Sequence, residues 1–169
     1  MSAQLKSETA PKTGTPAAGT VKPQLFSLKT PMVATGMIDN FVSVTDLMKV
    51  SIKIYAEGGE NFLHTHMAED HFFVIIEGEA TFRDPEDHAV TLHTHQGIML
   101  PRGCYYMFTN TGSTPLVMLR VAATAVQPWV KDSREWWQGV VDTRPPLRDG
   151  ENIIPGKFFA ADSDLPAQS

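Results

Sequence analysis

The sequence predicts an all-β domain of the barrel or sandwich type, and three observations support this prediction. Apolar and polar residues alternate from Met48 to Ile54, as is typical of a half-buried strand. Many other short apolar segments follow one another, divided by turns rich in Gly, Asn, Asp and Pro. The segment 58–78, GGENFLHTHMAEDHFFVIIEG, carries His64 and His66 at a strand spacing. Alternate residues of a strand share a face, so we expect these two imidazoles to project together and to form part of a metal site.

The strands can be assigned in chain order from these apolar segments. Clear turns are predicted at 84–87 and 110–115, where Asp, Pro, Asn and Gly cluster. The segment 72–76, FFVII, is an uninterrupted apolar run, and we expect it to be buried on both faces. Strands are predicted at 24–28, 41–44, 48–54, 62–67, 72–76, 80–83, 90–93, 97–100, 105–109 and 116–122.

Length and composition predict one compact domain with two appendages. The chain has 169 residues, and its 42% hydrophobic content is enough for one core. We expect a flexible N-terminal tail at 1–23, a β-barrel at 24–126 and a C-terminal extension at 127–169. The tail lacks the apolar core of a secretory signal, and the single cysteine, Cys104, has no disulfide partner within the chain. These features predict a cytoplasmic location.

The charge pattern narrows the class of partner. There are 14 basic and 19 acidic residues, giving a formal net charge of -5, and the basic residues form no cluster. Nucleic-acid binding relies on a concentrated cationic surface, so nucleic acid is not expected as a partner. No apolar run approaches the roughly 18 residues of a membrane span. We therefore expect a small-molecule partner.

The metal-ligand candidates begin with His64 and His66. Neutral imidazole is the commonest protein metal ligand, and a pair held on one strand lowers the ordering cost of binding. One or two more donors must come from elsewhere, and His71 is the nearest candidate. A second His-x-His, His93 and His95, lacks the downstream pattern and is not expected to bind metal. His88 is expected to be a solvated turn residue.

The spacing of these residues resembles two motifs of the cupin superfamily. The first motif is Gly, five residues, His-x-His, three or four residues, Glu, six residues and Gly. The second is Pro-x-Gly, two residues, His, three residues and Asn. The matching positions are Gly58, His64, His66 and Gly78 for the first motif, and Pro101, Gly103 and Asn110 for the second. The resemblance covers roughly residues 48–124 and implies a double-stranded β-helix, the jelly-roll barrel of that superfamily.

Two positions depart from the cupin motifs. The place of the usual Glu ligand is taken by His71, and the place of the last His by Tyr106. We prefer His71 as the third ligand, and Glu69 or Asp70 is the alternative carboxylate if the loop slips. A phenol has a pKa near 10, so Tyr106 would bind metal only if the metal helped to deprotonate it. We therefore expect Tyr106 to be an acid-base group beside the metal.

Two further features have competing interpretations. Cys104 shares strand parity with Tyr106 and could line the pocket, but we prefer the interpretation that it is a small buried hydrophobe. Trp129, Trp136 and Trp137 carry too much apolar surface to remain in water. We expect a short helix at 133–138, with the extension packed on the barrel, over its mouth or on a second subunit. The resemblance implies a homodimer.

The ligand set predicts the chemistry. Three neutral imidazoles leave the charge of a divalent ion uncancelled, so the site should favour an anionic oxygen ligand such as an enolate, phenolate or carboxylate. Fe(II) fits best, while Zn(II), Mn(II) and Ni(II) are compatible. Among cupins, three-His sites resemble those of dioxygenases, and the resemblance therefore implies an oxygenase. The alternatives are a non-redox lyase, isomerase or cyclase, and a ligand-binding protein without turnover.

Overall fold

The computed structural model describes residues 18–56, 62–124, 133–139 and 152–165. Within these ranges the chain is almost entirely β-structure, with one short 3-10 turn at Trp137–Gly139. The strands are β1 (Thr30–Val33), β2 (Met37–Val44), β3 (Met48–Tyr55), β4 (His64–His66), β5 (Glu69–Glu77), β6 (Glu79–Arg83), β7 (Ala89–His93), β8 (Gly97–Leu100), β9 (Met107–Asn110), β10 (Leu116–Thr124), β11 (Arg134–Trp136) and β12 (Ile153–Phe159).

The strands form two main antiparallel sheets and two strand pairs. One sheet has five strands in the order β2-β3-β10-β5-β8, and the other has three in the order β7-β6-β9. The pairs are β11-β4 and β1-β12. An isolated bridge between His64 and Tyr106 connects β4 to the chain just before β9. This arrangement confirms the predicted all-β barrel of the double-stranded β-helix type.

The five-stranded sheet has a core on each face. Its inner face packs against the three-stranded sheet, and the aromatic contacts between the two sheets include Tyr55–Phe108 and Phe73–Phe108, with ring centroids 5.1 and 6.0 Å apart. On the opposite face of the sheet, Ile52 of β3 and Val33 of β1 belong to a second apolar core. The β1-β12 pair therefore covers the outer face of the barrel.

The two faces of β3 differ from the sequence prediction of a half-buried strand. Ile52 and Ile54 face the outer core, while Ser51 and Lys53 face the barrel interior and are 1% and 9% exposed. The polar face is buried because Asp39 and Arg120, on the neighbouring strands, supply charged partners there. The apolar run of β5 also alternates: Phe73 is 2% exposed but Phe72 is 38% exposed. The expectation that this run is buried on both faces was therefore wrong at Phe72.

The largest differences lie at the two ends of the chain. Residues 24–28 form no strand, and the N-terminal strand is β1, which finds its partner in β12. The helix predicted at 133–138 is instead strand β11 followed by a 3-10 turn, because β11 adds to the edge of β4. Trp129 and Gly58 lie outside the described residues.

Candidate metal centre

Strand β4 directs His64 into the barrel. The backbone NH of His64 donates to the carbonyl of Tyr106 over 3.0 Å, and the NH of Tyr106 donates back over 2.8 Å. Residues paired in this way present their side chains on the same face, and the two rings lie 4.7 Å apart between centroids. His64 is 2% exposed and Tyr106 is 5% exposed. The bridge thus fixes both side chains in the interior.

Strand β5 supplies two more polar groups to the same interior. Glu69 and His71 are two residues apart, so they share the face that carries Phe73 into the core. Both are buried, at 7% and 2% exposure. On β10, Ala122 lies opposite His71, and its small side chain leaves room beside the imidazole.

Three donors from these strands converge. His66, Glu69 and His71 each offer a ligand atom, and these atoms lie within 4.8 Å of one another. His71 Nε2 is 3.0 Å from Glu69 Oε2, and the rings of His66 and His71 are 4.2 Å apart between centroids. An ion about 2.0 to 2.2 Å from each ligand sets its ligand atoms about 3 to 4.4 Å apart. The His71–Glu69 distance falls in this range, and the three residues could hold a divalent metal ion.

His64 lies beside this group of three. Its ring centroid is 5.2 Å from that of His66. Its Nδ1 is 2.7 Å from the carbonyl oxygen of Phe62, and a ring nitrogen beside a carbonyl must donate. The proton therefore sits on Nδ1 and the lone pair on Nε2, but His64, a predicted ligand, is not among the three residues whose ligand atoms lie within 4.8 Å of one another.

The structure brings together residues that the sequence offered as alternatives. Glu69 joins His71 in the cluster, whereas Asp70 points elsewhere and accepts the backbone NH of Arg102 over 2.8 Å. The signal for Glu69 was present in the sequence, because a residue two positions before His71 shares its strand face. The spacing of the cupin motif instead favours His71 as the ligand.

Burial keeps the imidazoles neutral. It lowers the pKa of His64 to about 4, and it lowers the pKa values of His66 and His71 below the ordinary value of 6.5. Burial alone would raise the pKa of Glu69, but its hydrogen bond to His71 and the nearby charges, including that of Arg120, lower it on balance. At neutral pH the cluster therefore offers neutral imidazoles and a charged carboxylate, the forms that bind metal.

Tyr106 contacts the cluster through its hydroxyl. The phenol oxygen is 3.2 Å from His71 Nδ1. Burial raises the pKa of Tyr106 above its ordinary value of 10, so the group is a neutral phenol at physiological pH. The phenol stands next to a candidate ligand, where it can exchange a proton.

A charged network that the sequence analysis did not predict adjoins the cluster. Arg120 Nη2 lies 3.2 Å from His71 Nε2 and 3.5 Å from Glu69 Oε2. Its Nη1 lies 3.3 Å from Asp39 Oδ2, which also binds Lys53 Nζ over 3.1 Å. The available signal was a single Arg within the apolar strand LVMLRVAAT, opposite the polar face of β3.

Strand β11 forms part of the site wall. In the β11-β4 pair, Arg134 lies opposite His66 and Trp136 lies opposite His64. The Trp136 ring is 5.6 Å from that of His64, and the Arg134 guanidinium lies 5.3 Å from the Trp136 ring centroid. Trp137 packs separately against Tyr105, with centroids 4.8 Å apart. This part of the extension packs on the barrel beside the ligands, one of the placements predicted for it.

The remaining candidates lie outside the cluster. His93 and His95 are exposed, and His93 Nδ1 contacts a carboxylate oxygen of Glu79. His88 is an exposed turn residue, as predicted; with Asp84 and Glu86 it forms a solvated group of the kind common without an ion.

Cys104 is not the buried hydrophobe that the sequence predicted. It is exposed and lies on a largely apolar cleft of about 250 Å³, to which Tyr105 and Leu100 also contribute. The parity argument fails because β9 begins at Met107, so Cys104 is not part of a strand.

Comparisons with known proteins agree with this fold. Residues 51–122 match the family model described as the cupin domain, a range that contains every residue of the candidate cluster. An uncharacterized conserved protein with a double-stranded beta-helix domain from Klebsiella pneumoniae is 19% identical, with a TM-score of 0.51 over 60% of this chain and 79% of that one. No curated protein matches this sequence.

Two further solved structures are similar at lower TM-scores. A cupin superfamily protein from Desulfitobacterium hafniense is 16% identical, with a TM-score of 0.47 over 69% of this chain and 96% of that one. KdgF from Halomonas sp. is 14% identical, with a TM-score of 0.47 over 57% of this chain and 82% of that one.

Proposed function

We propose that this chain, which belongs to the cupin superfamily, is a metal-dependent oxygenase acting on an anionic, enolisable or phenolic small molecule. The cupin domain supports the coarser statement that the chain binds a metal ion or a small molecule. The observation that supports the finer proposal is the cluster of His66, Glu69 and His71. Two His and one carboxylate with open coordination positions are the ligand set of non-haem Fe(II) oxygenases.

The ligands of the proposed site are His66, Glu69 and His71, with the Nε2 of His64 as a fourth. Fe(II), the ion that we favour, would supply Lewis acidity toward a substrate oxygen and redox chemistry with dioxygen. Zn(II) would supply Lewis acidity alone in the alternative reactions, and Mn(II) and Ni(II) are also compatible with the ligands. The chain contributes rigidity, because the ligands stand on paired strands and the Nδ1 proton of His64 is fixed by the Phe62 carbonyl. Burial of His64 and His71 excludes water from the ligand atoms.

Tyr106 is the proposed proton donor. While His71 Nε2 is used as a ligand atom, its Nδ1 carries the ring proton and donates to the phenol oxygen. The phenol hydrogen is then free to be donated elsewhere, and a substrate anion is the acceptor that we propose. A neutral phenol at physiological pH is suited to this role.

The second candidate is non-redox catalysis at the same site, as a lyase, isomerase or cyclase. The hydrogen bond between Tyr106 and His71 favours it, because proton exchange through this pair needs no dioxygen. A ligand-binding protein without turnover is the third candidate, since the same ligands could hold a metal-bound anion without reaction.

The test is purification without added metal, determination of metal content, and then oxygen-electrode measurements with Fe(II)-loaded protein on phenolic and β-diketone substrates. An oxygenase consumes oxygen with at least one substrate, and the Glu69→Ala variant loses this activity. Turnover of a substrate without oxygen consumption would favour the second candidate. Stoichiometric metal with no turnover of any substrate would favour the third.

A further inference from the structure

Arg120 lies beside two of the residues that would hold a metal ion at this site. Its Nη2 lies 3.2 Å from His71 Nε2 and 3.5 Å from Glu69 Oε2. These two atoms lie 3.0 Å apart, so an ion that bound His71 through Nε2 and Glu69 through Oε2 would contact both. His71 Nε2 can either donate its proton to Glu69 or accept a hydrogen bond from Arg120 Nη2, and a metal ion bound to the Nε2 lone pair would end both contacts. Metal binding must therefore displace Nη2 from His71.

The displaced guanidinium would still be held at its other end. Arg120 Nη1 is 3.3 Å from Asp39 Oδ2, and Lys53 Nζ shares that carboxylate oxygen at 3.1 Å. All three side chains are 15% exposed or less, so the network lies within the barrel. A small rotation about this contact would release Nη2 while keeping the ion pair with Asp39.

The guanidinium also has an unused donor. Its Nε is buried and, among the described residues, meets no hydrogen-bond acceptor. A buried donor without an acceptor is unfavourable, so an acceptor supplied by a bound ligand would stabilise it. Once Nη2 is displaced, Nη2 and Nε of the planar guanidinium would both have hydrogens available to donate.

The charges around the site point to an anionic acceptor. Arg120 and Lys53 are balanced by Asp39 and Glu69, so these four side chains sum to zero. A divalent ion then leaves two positive charges uncompensated. A guanidinium fork binds a planar carboxylate through two parallel hydrogen bonds.

We propose that Arg120 anchors a carboxylate group of the substrate, and that metal binding releases it for this role. The proposal rests on the proposed metal site and deepens the proposed function by assigning a carboxylate-bearing substrate. Metal and carboxylate then bind with positive coupling, because the metal frees the donors that the carboxylate uses.

Truncation of Arg120 should have opposite effects on the two ligands. Arg120→Met removes the competitor for the His71 lone pair, so Zn(II) should bind more tightly, by roughly 5-fold or more on the usual scale of coupled sites. The same variant removes the anchor, so acetate should bind the Zn(II)-loaded protein more weakly by about 5-fold or more. Acetamide, a neutral isostere of acetate, should bind wild type and variant alike.

The measurement is isothermal titration calorimetry of metal-free protein with Zn(II), then of the loaded protein with acetate and acetamide. Arg83→Met is the matched control, because Arg83 pairs with Asp87 in an exposed position and contacts none of the ligands. It should leave all three affinities unchanged. Arg120→Lys keeps the positive charge beside Asp39 but lacks the planar guanidinium. If Arg120→Met fails to fold, the acetate affinity is measured with Arg120→Lys instead.

Weaker or unchanged Zn(II) binding in Arg120→Met would overturn the competition, and equal acetate affinity in wild type and Arg120→Lys would overturn the anchor. Failure of wild type to bind Zn(II) would overturn the metal site and this proposal together. Coupling between Zn(II) and acetate without oxygen consumption on any substrate would overturn only the oxygenase, and the Arg120 proposal would stand.

Discussion

At the scale of single residues, His71 connects the parts of the site. One of its ring nitrogens faces the Tyr106 hydroxyl, and the other faces Glu69 and Arg120. The position of its ring proton therefore decides whether Tyr106 or Glu69 receives a hydrogen bond. Metal at Nε2 favours the tautomer that donates to Tyr106, which links ligation to the proposed proton donor.

The first prediction is that Tyr106 matters more to turnover than to metal binding. Tyr106→Phe removes the hydroxyl but keeps the ring that packs against His64. We expect unchanged metal content and melting temperature, with activity on the eventual substrate lower by roughly 10²-fold or more, the scale of a general acid-base group. Elemental analysis, thermal melts and steady-state kinetics check this. Loss of metal would make Tyr106 a ligand, and unchanged activity would reduce it to core packing.

The second prediction concerns pH. Because burial lowers the pKa of His64 from 6.5 to about 4, between these pH values the unfolded chain binds a proton at His64 that the folded chain does not bind. The free energy of unfolding of the metal-free protein should therefore decrease as pH falls from 6.5 to 4. The contribution of His64 is on the order of 3 kcal/mol at the acid end.

Urea denaturation at pH 7 and pH 5 measures this loss of stability. His64→Gln should lose less stability between these pH values than wild type, although His66 and His71 still contribute in the same direction. Identical dependence in wild type and His64→Gln would mean that His64 is not buried in its neutral form.

At the scale of strands, some elements can be predicted from the local sequence pattern, whereas others depend on pairing with strands that are distant in sequence. The bounds of β8 match the prediction, and the His-x-His strand was predicted, because hydrophobic patterning and turn residues are local signals. The strands β11 and β12 were missed because their pairing with β4 and β1 depends on contacts distant in sequence. Arg120 was missed for the same reason, since its partners Asp39 and Glu69 lie on other strands.

The third prediction tests the turn between β5 and β6. Gly78 has φ +84°, and a Cβ there would lie 2.9 Å from the carbonyl oxygen of Pro115. Gly103 also has a positive φ of +81°, but a Cβ there meets no atom within 4 Å. Gly103→Ala should therefore cost about 1 kcal/mol from backbone conformation alone, and Gly78→Ala should cost more because the backbone of Pro115 must also move. Equal costs in chemical denaturation would contradict the close approach.

At the scale of the whole molecule, the barrel places charged groups where most domains place apolar ones. One region of the barrel interior is packed with aromatic and aliphatic side chains. The other region holds the candidate ligands His66, Glu69 and His71 and the ion-pair network of Arg120, Asp39 and Lys53. Within the described ranges, no helix is long and apolar enough to cross a membrane. The homodimer and the cytoplasmic location stay predictions. Light scattering on the purified chain tests the homodimer.

The central claim is that the barrel holds a metal ion at His66, Glu69 and His71, and metal content tests it most directly. Wild type and two double variants, His66→Ala with His71→Ala and His93→Ala with His95→Ala, are purified in parallel and analysed by plasma mass spectrometry. Each double variant removes two imidazoles, but only the first pair faces the barrel interior. We expect about one metal ion per chain in wild type and in the His93, His95 variant, and none in the His66, His71 variant. Equal metal content in all three folded proteins would contradict the site.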